Sequence, residues 1–208
     1  MSAVPKPRKL SVEEYFAIEE RAERKSEFYN GEMFLMAGAT FAHNVVLRNL
    51  VGEIYILLKH GKCQVFFNDQ RIKVDRTGLY TYPDLLIVCD EPEFADENRN
   101  TLTNPKVVIE VLSDSTERYD RTTKFRFYQQ IPSLVEYVLV AQDEPLVERY
   151  VRLDDGSWAR TDFAGLEGAM ALSTIPLKLP MIDIFRGVEF PPPHPDCEGQ
   201  TVRFGPRS

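Results

Sequence analysis

The chain has 208 residues, of which 43% are hydrophobic, and its formal net charge is −7. This length suits one hydrophobic core, and the acidic balance disfavours a surface covered with cationic contacts to phosphate. No uncharged apolar run is long enough to cross a membrane, and the basic N-terminus lacks an apolar signal core. We therefore expect a cytoplasmic protein with no membrane partner.

The first third of the chain contains recognisable helix and hairpin signals. Ser11-Val12-Glu13-Glu14 has the pattern of a capping box and predicts a short amphipathic helix. Asn30-Gly31 lies between two short β-prone runs and predicts a tight hairpin. Apolar residues spaced by three and four between Ala42 and Leu58 predict a helix that faces the core.

The middle of the chain reads as strands, then a helix, then a strand. Residues 64–67 and 71–74 predict one irregular strand or two short ones, and residues 80–88 predict one strand. Residues 90–103 read as an acidic loop. Further elements are predicted in chain order: a strand at 107–112, a helix from 113 to about 130, and a strand at 134–140. This order predicts an α/β sandwich with a mixed sheet flanked by helices.

The last third of the chain differs from the core in pattern. Short strands at 146–152 and 158–163 predict an added C-terminal β-hairpin, and residues 181–185 predict a helical turn. We expect residues 1–190 to form one domain, with its core at about 10–151 and the appended hairpin at about 145–190. Residues 191–208 form a proline-rich tail in this prediction.

Three cysteines, Cys63, Cys89 and Cys197, are scattered without the spacing of a metal site. An odd, sparse count argues against a disulfide framework and against structural zinc. Cys63 and Cys89 stand beside apolar residues, so we expect them to be small core residues.

Charged side chains interrupt the apolar strands in the middle of the chain. Asp84 follows Pro83 at the start of one apolar run, and Glu110 lies inside Val-Val-Ile-Glu-Val-Leu. Lys124 follows on the next predicted helix. Buried charges are costly unless they are paired or bind a metal, so this set suggests a divalent cation and a phosphate. Alternatively, Asp84 caps a turn and Lys124 forms an ordinary helix ion pair with Asp120.

Several sequence strings share a pattern with a known group of enzymes. They are Ser-Glu-Phe-Tyr-Asn-Gly-Glu at 26–32, His43, Pro-Asp at 83–84, Glu-Val-Leu-Ser-Asp-Ser-Thr at 110–116, Tyr-Asp-Arg-Thr-Thr-Lys at 119–124 and Pro-Ser-Leu-Val-Glu-Tyr at 132–137. Over roughly residues 10–151 the chain resembles the PD-(D/E)XK restriction-endonuclease-like superfamily, and within it the Uma-two family of candidate endonucleases. The resemblance implies a core of order α-β-β-β-α-β and a metal-dependent endonuclease acting on DNA.

The resemblance also assigns roles to individual residues. Asp84, Glu110 and the backbone carbonyl of Val111 would bind Mg²⁺ or Mn²⁺. The superfamily pattern puts a lysine at position 112, where this chain has Leu112. In the resembling family the next helix supplies it, which here is Lys124. Lys124 would orient or deprotonate the attacking water, or stabilise the transition state.

Two more residues complete the catalytic set that the resemblance implies. Glu27 would bind metal through water or hold a second ion, and His43 would orient Glu27 or contact phosphate near a helix start. The competing interpretations are a solvated ion pair of Glu27 with Arg24 or Lys25, and an ordinary polar residue at the helix start for His43.

Three functions remain open at this point. The first is a DNA endonuclease, for which we expect a homodimer because two-fold symmetry suits the cleavage of both strands. The second is a catalytically inactive nuclease-like binding module, which the net charge favours. The third is a metal-dependent hydrolase of a smaller phosphodiester, which suits an acidic surface.

Overall fold

A computed structural model describes residues 8–190 of the chain. The predicted proline-rich tail at 191–208 lies outside the described residues. Helices α1 and α2 span Val12–Glu19 and Phe41–Leu58. The strands are β1 Ser26–Tyr29, β2 Glu32–Leu35, β3 Cys63–Phe67, β4 Arg71–Val74, β5 Leu79–Thr81, β6 Leu85–Cys89, β7 Thr101–Leu102, β8 Val107–Val111, β9 Glu136–Val140, β10 Leu146–Arg152, β11 Trp158–Ala164, β12 Ala169–Ala171 and β13 Lys178–Pro180.

One irregular helix, α3, links β8 to β9. It begins as α-helix at Glu117–Tyr119, widens to a π-helical segment at Asp120–Lys124, and returns to α-helix at Phe125–Tyr128. A short helix, α4, spans Met181–Ile184 near the C-terminal end of the described residues. π-helical turns inside α-helices are rare and occur frequently at functional sites, so the position of this one is informative.

A six-stranded mixed sheet forms the centre of the molecule, in the order β11-β10-β9-β8-β6-β3. Strands β8 and β9 run parallel and the other neighbours are antiparallel. The expected order α-β-β-β-α-β is present as α2, β3, β6, β8, α3 and β9, and the mixed sheet is confirmed. The hairpin of β10 and β11 joins this sheet directly through β9.

Each face of the six-stranded sheet carries its own apolar core. Val46, Leu50 and Ile54 of α2 pack on one face, together with the segment that contains β12, β13 and α4. Tyr128 and residues after it pack on the other face. The helices are therefore fixed on opposite sides of the strands that carry the charged residues.

A second sheet, in the order β2-β1-β5-β4-β7, lies under α1. Helix α1 starts with the predicted capping box, in which Ser11 accepts from the Glu14 backbone and Glu14 accepts from that of Ser11. The predicted hairpin is also present: Asn30 and Gly31 have φ of 52° and 83°, as the tight turn between β1 and β2 requires.

Two expectations about the strands are wrong in detail. Residues 80–88 form two strands in different sheets, because Pro83 has no N–H for a ladder and the chain leaves one sheet for the other there. The loop at 90–103 contains the short strand β7, which pairs parallel with β4. The break at Pro83 leaves Asp84 outside both sheets.

The expectation that Cys63 and Cys89 are separate core residues is also wrong. They form a disulfide that joins directly opposed positions of β3 and β6. Their 26-residue separation hides this neighbourhood in the sequence, and only the strand register reveals it. Within residues 8–190, no helix is both long and apolar enough to cross a membrane.

Candidate active site

The two acids that interrupt the strands meet where β6 and β8 stop pairing. The last paired residues are Leu85 and Ile109, so Asp84 and Glu110 occupy the next opposed positions. The Asp84 N–H donates to Glu110 Oε2 at 3.1 Å, and the Val111 N–H donates to Asp84 Oδ2 at 2.8 Å. Each strand thus orients the other strand's carboxylate through its backbone.

Lys124 joins this pair from the π-helical segment of α3. Its Nζ lies 2.9 Å from Glu110 Oε1, 3.4 Å from Asp120 Oδ1 and 3.5 Å from Glu27 Oε1. The lysine and these three carboxylates are all more than 90% buried. Lys124 is thus the centre of a buried charge cluster, so its pairing with Asp120 is only one part of a larger arrangement.

Glu27 reaches the cluster from the second sheet. The Tyr119 hydroxyl donates to its Oε2 at 2.9 Å, and the Thr81 hydroxyl donates to its Oε1. Arg24 and Lys25, the alternative partners on a solvated surface, contact the Met36 carbonyl and Asp69 instead. The structure places Glu27 in the cluster.

His43 lies in the first turn of α2, where the Thr40 hydroxyl accepts from its backbone N–H. Its Nε2 is 3.1 Å from Asp84 Oδ2. The expectation that His43 orients Glu27 is therefore wrong: the ring contacts Asp84, because α2 packs on the face of the sheet where β6 begins. Its buried Nδ1 has no hydrogen-bond partner among the described residues.

One cleft of about 580 Å³ is lined by all of the predicted site residues, which are Glu27, His43, Asp84, Glu110, Val111 and Lys124. Asp120 lines it as well, so four carboxylates face a single ammonium. Apolar residues in place of this charge cluster would stabilise the fold as well or better, since buried ion pairs rarely repay their desolvation. A buried charge cluster at an open cleft is therefore typical of a functional site.

Burial and the excess of negative charge perturb the ionisation of the cluster. Burial raises the pKa of Glu110 from 4.5 to about 8; Asp84 and Asp120 add to the rise, while Lys124 opposes it. Burial also raises the pKa of Asp120. For Lys124, burial lowers the pKa, but Glu110 and the other negative neighbours outweigh it and hold it well above 10.5. In the metal-free protein, this cluster is short of positive charge.

The donor set fits a hard divalent cation. The available groups are carboxylate oxygens, beside the backbone of Val111, and a cation would relieve the charge imbalance. Within residues 8–190, no group of three or more His, Cys, Asp or Glu side chains is arranged to hold a metal. An ion such as Mg²⁺ does not require such a group, since it often binds through one or two carboxylates and keeps several waters.

Four contacts of the site lie outside the set of residues that the resemblance assigns, although the sequence predicts the pairing of Asp120 with Lys124 as an alternative. The Tyr128 hydroxyl donates to Glu110 Oε1 at 2.8 Å, and the others are the contacts of Asp120, Tyr119 and Thr81 described above. A signal for Tyr128 exists: it is four residues after Lys124, on the same face of a helix. Tyr119 and Asp120 belong to the string at 119–124 that carries the resemblance, but the sequence predicts no role for Tyr119 and only an ordinary ion pair for Asp120.

Comparison with known proteins gives consistent matches along most of the chain. Residues 12–181 match the sequence model of the Uma2 family, described as "Putative restriction endonuclease". Two proteins of Synechocystis sp. (strain ATCC 27184 / PCC 6803 / Kazusa) are similar. "Uncharacterized protein sll1609" is 36% identical over 79% of this chain and 93% of its own length. "Uncharacterized protein slr1290" is 35% identical over 88% of this chain and 94% of its own length.

A crystal structure from Anabaena variabilis ATCC 29413 shares the architecture. It is described as "a putative nuclease belonging to DUF820" and superposes with a TM-score of 0.70 at 19% identity, over 86% of this chain and 98% of that one. The match confirms the restriction-endonuclease-like fold expected from the sequence.

Proposed function

Because the chain belongs to the Uma2 family of restriction-endonuclease-like proteins, we propose that it is an endonuclease that hydrolyses DNA phosphodiester bonds with Mg²⁺ or Mn²⁺. The observation that carries this proposal is the convergence of Asp84, Glu110 and Lys124, far apart in sequence, at one open cleft. The family and the fold support a nuclease, and the cluster supports the metal and the named residues.

Asp84, Glu110 and the Val111 carbonyl would hold the cation, which would lower the pKa of a water and offset charge on the phosphate. His43 fixes the rotamer of Asp84 through Nε2, and Tyr128 fixes that of Glu110 through its hydroxyl. This second layer of contacts keeps both carboxylates oriented towards the cleft.

Lys124 acts as a fixed ammonium in this proposal. Three surrounding carboxylates favour its charged form, so it donates hydrogen bonds and stabilises developing negative charge; it does not take a proton from water. In the reaction, the water gives up a proton to solvent and its oxygen forms a bond to phosphorus, the bond to the leaving ester oxygen breaks, and that oxygen takes up a proton from solvent.

A second candidate is supported by the charge of the cleft. Among the described residues that line it, Lys124 is the one with a positive charge. A hydrolase of a smaller phosphodiester needs fewer cationic contacts than an enzyme that grips a duplex. An inactive binding module fits less well, since binding alone does not require a buried set of carboxylates.

The test is cleavage of plasmid and single-stranded DNA with Mg²⁺ or Mn²⁺ by the wild type, Asp84→Ala and Asp154→Ala. Asp154 is exposed and lies outside the cleft, so it controls for the loss of one aspartate. We expect metal-dependent cleavage by the wild type and Asp154→Ala only. Equal activity in Asp84→Ala would refute the assignment, and cleavage of a dinucleotide alone would favour the second candidate.

The homodimer and the one-domain organisation of residues 1–190 stay predictions. Light scattering of the purified chain tests the first, and a single cooperative urea transition tests the second.

A further inference from the structure

The cleft has two unlike walls. One is the charge cluster, and the other is apolar and mostly aromatic. We call the second the aromatic wall; it consists of Tyr29, Phe34, Leu35, Met36 and Phe127. Its members come from β1, the β2 end of the hairpin and α3, the same elements that deliver Glu27 and Lys124.

Phe34 is a member of this wall that lies beside the charge cluster. In the register of β1 and β2 it is directly opposite Glu27, so both side chains lie on the same face, as neighbours. Tyr29 lies on that face two residues further along, and its ring packs against Phe127 with centroids 4.7 Å apart. Phe34 is nevertheless 48% exposed. A half-exposed phenyl ring beside buried carboxylates is a surface that residues 8–190 leave partly uncovered.

The charges of the cleft limit what that partner is. Duplex DNA is held mainly by lysine and arginine contacts to many phosphates. Among the described lining residues, only Lys124 is cationic, and three carboxylates already surround it. The exposed Arg118 and Arg126 of α3 lie outside the lining. The cleft therefore offers one phosphate position, next to a flat apolar surface.

The volume suits one nucleotide. Clefts of about 300–1,000 Å³ enclose a ligand of drug size, and 580 Å³ is within that range. In a duplex, neighbouring bases cover both faces of each base, so only an unstacked base can lie flat against a protein ring.

From these observations we propose that the cleft takes single-stranded DNA, with the base next to the scissile phosphate stacked on Phe34. This inference rests on the proposed function for the identity of the phosphate site. The aromatic wall selects unpaired strands, and the charge cluster cleaves the adjoining ester.

The first experiment reports stacking directly. A single-stranded oligonucleotide with one 2-aminopurine, and the duplex of the same sequence, are titrated with wild-type protein in Ca²⁺, with intact DNA checked by gel. We expect quenching of the 2-aminopurine fluorescence in the single strand and little change in the duplex. Equal binding and quenching of the two forms would overturn the inference.

The second experiment uses a matched pair of phenylalanines. Phe67 is 47% exposed, like Phe34, but lies outside the lining of the cleft. Phe34→Ala should weaken binding of the single strand about 5- to 150-fold, the usual range for losing one base–aromatic stack. Phe34→Tyr, which keeps the ring, and Phe67→Ala should bind as the wild type does. Equal losses in Phe34→Ala and Phe67→Ala, or no loss in Phe34→Ala, would contradict the proposal.

Cleavage assays separate this inference from the function on which it rests. If no DNA is cleaved with Mg²⁺ or Mn²⁺, the proposed endonuclease fails. If duplex is cleaved as fast as single strands and Phe34→Ala does not alter either rate, the endonuclease stands and the single-strand inference fails. Preferential cleavage of single strands that Phe34→Ala reduces would support both.

Discussion

Replacing Glu110 by glutamine should make the metal-free protein progressively more stable than the wild type as the pH rises. Glu110 is 3% exposed, and burial raises its pKa from 4.5 to about 8. Between those values the folded wild type binds a proton that the unfolded chain has released. Its stability therefore falls with rising pH over this window and levels off above about pH 8, whereas the glutamine variant lacks this loss.

The size of the effect follows from the two pKa values. The difference between a pKa of 4.5 in the unfolded chain and about 8 in the folded protein corresponds to about 5 kcal/mol, at about 1.36 kcal/mol for each pKa unit. The difference in unfolding free energy, variant minus wild type, should grow by up to this amount from pH 4.5 to 8. The attraction of Lys124 for the ionised carboxylate is already contained in the pKa of about 8.

The assay is urea denaturation in EDTA at pH values from 5 to 9, for wild type, Glu110→Gln and Glu97→Gln. Glu97 is exposed on the loop before β7, so its variant controls for the loss of one carboxylate. The unfolding free energy of Glu97→Gln should change with pH in the same way as that of the wild type. A difference between Glu110→Gln and wild type that stays within about 1 kcal/mol across the range would refute the reasoning.

Three further predictions concern other parts of the structure, each checked by urea denaturation at pH 8, in EDTA unless a metal is added in its place. Lys124→Met leaves the carboxylates uncompensated and should lower the unfolding free energy by about 3–5 kcal/mol. Mn²⁺ in place of EDTA should restore part of this stability. An unchanged urea midpoint would contradict the buried cluster. Tyr128→Phe removes a hydroxyl that donates to Glu110 and should cost about 1–3 kcal/mol; no loss would mean that the carboxylate finds another donor. Gly31→Ala and Gly156→Ala both alter a glycine at φ 83°, but only at Gly31 would the new Cβ lie 2.6 Å from Lys9 Cβ. Both should destabilise by about 1–3 kcal/mol from backbone strain, and Gly31→Ala by more; equal losses would show that the contact with Lys9 is relieved without cost.

Local chemistry made much of this fold predictable. The capping box at Ser11 and the Asn30-Gly31 turn are decided by residues a few positions apart, so the sequence contains the whole signal. Glu110 stood out because an acid inside an apolar strand has few structural explanations. Its contacts with Lys124 and Asp84 agree with that interpretation.

Features that depend on distant residues were not predictable in this way. The pairing of Cys63 with Cys89 requires the register of β3 and β6, and the change of sheet at Pro83 requires the whole topology. The contact of His43 with Asp84 depends on which face of the sheet α2 covers. None of these is encoded in a short string of residues, so pattern analysis could name His43 but not its partner.

The widened turn at Asp120–Lys124 also limits how this protein can be engineered for robustness. Deleting one threonine there would restore a regular helix, which thermostabilising redesign usually favours. It would also change the separation of Asp120 and Lys124 from four residues to three. The Lys124 ammonium and the Asp120 carboxylate would then be placed differently relative to each other on the helix, so greater stability would come at the cost of the charge cluster.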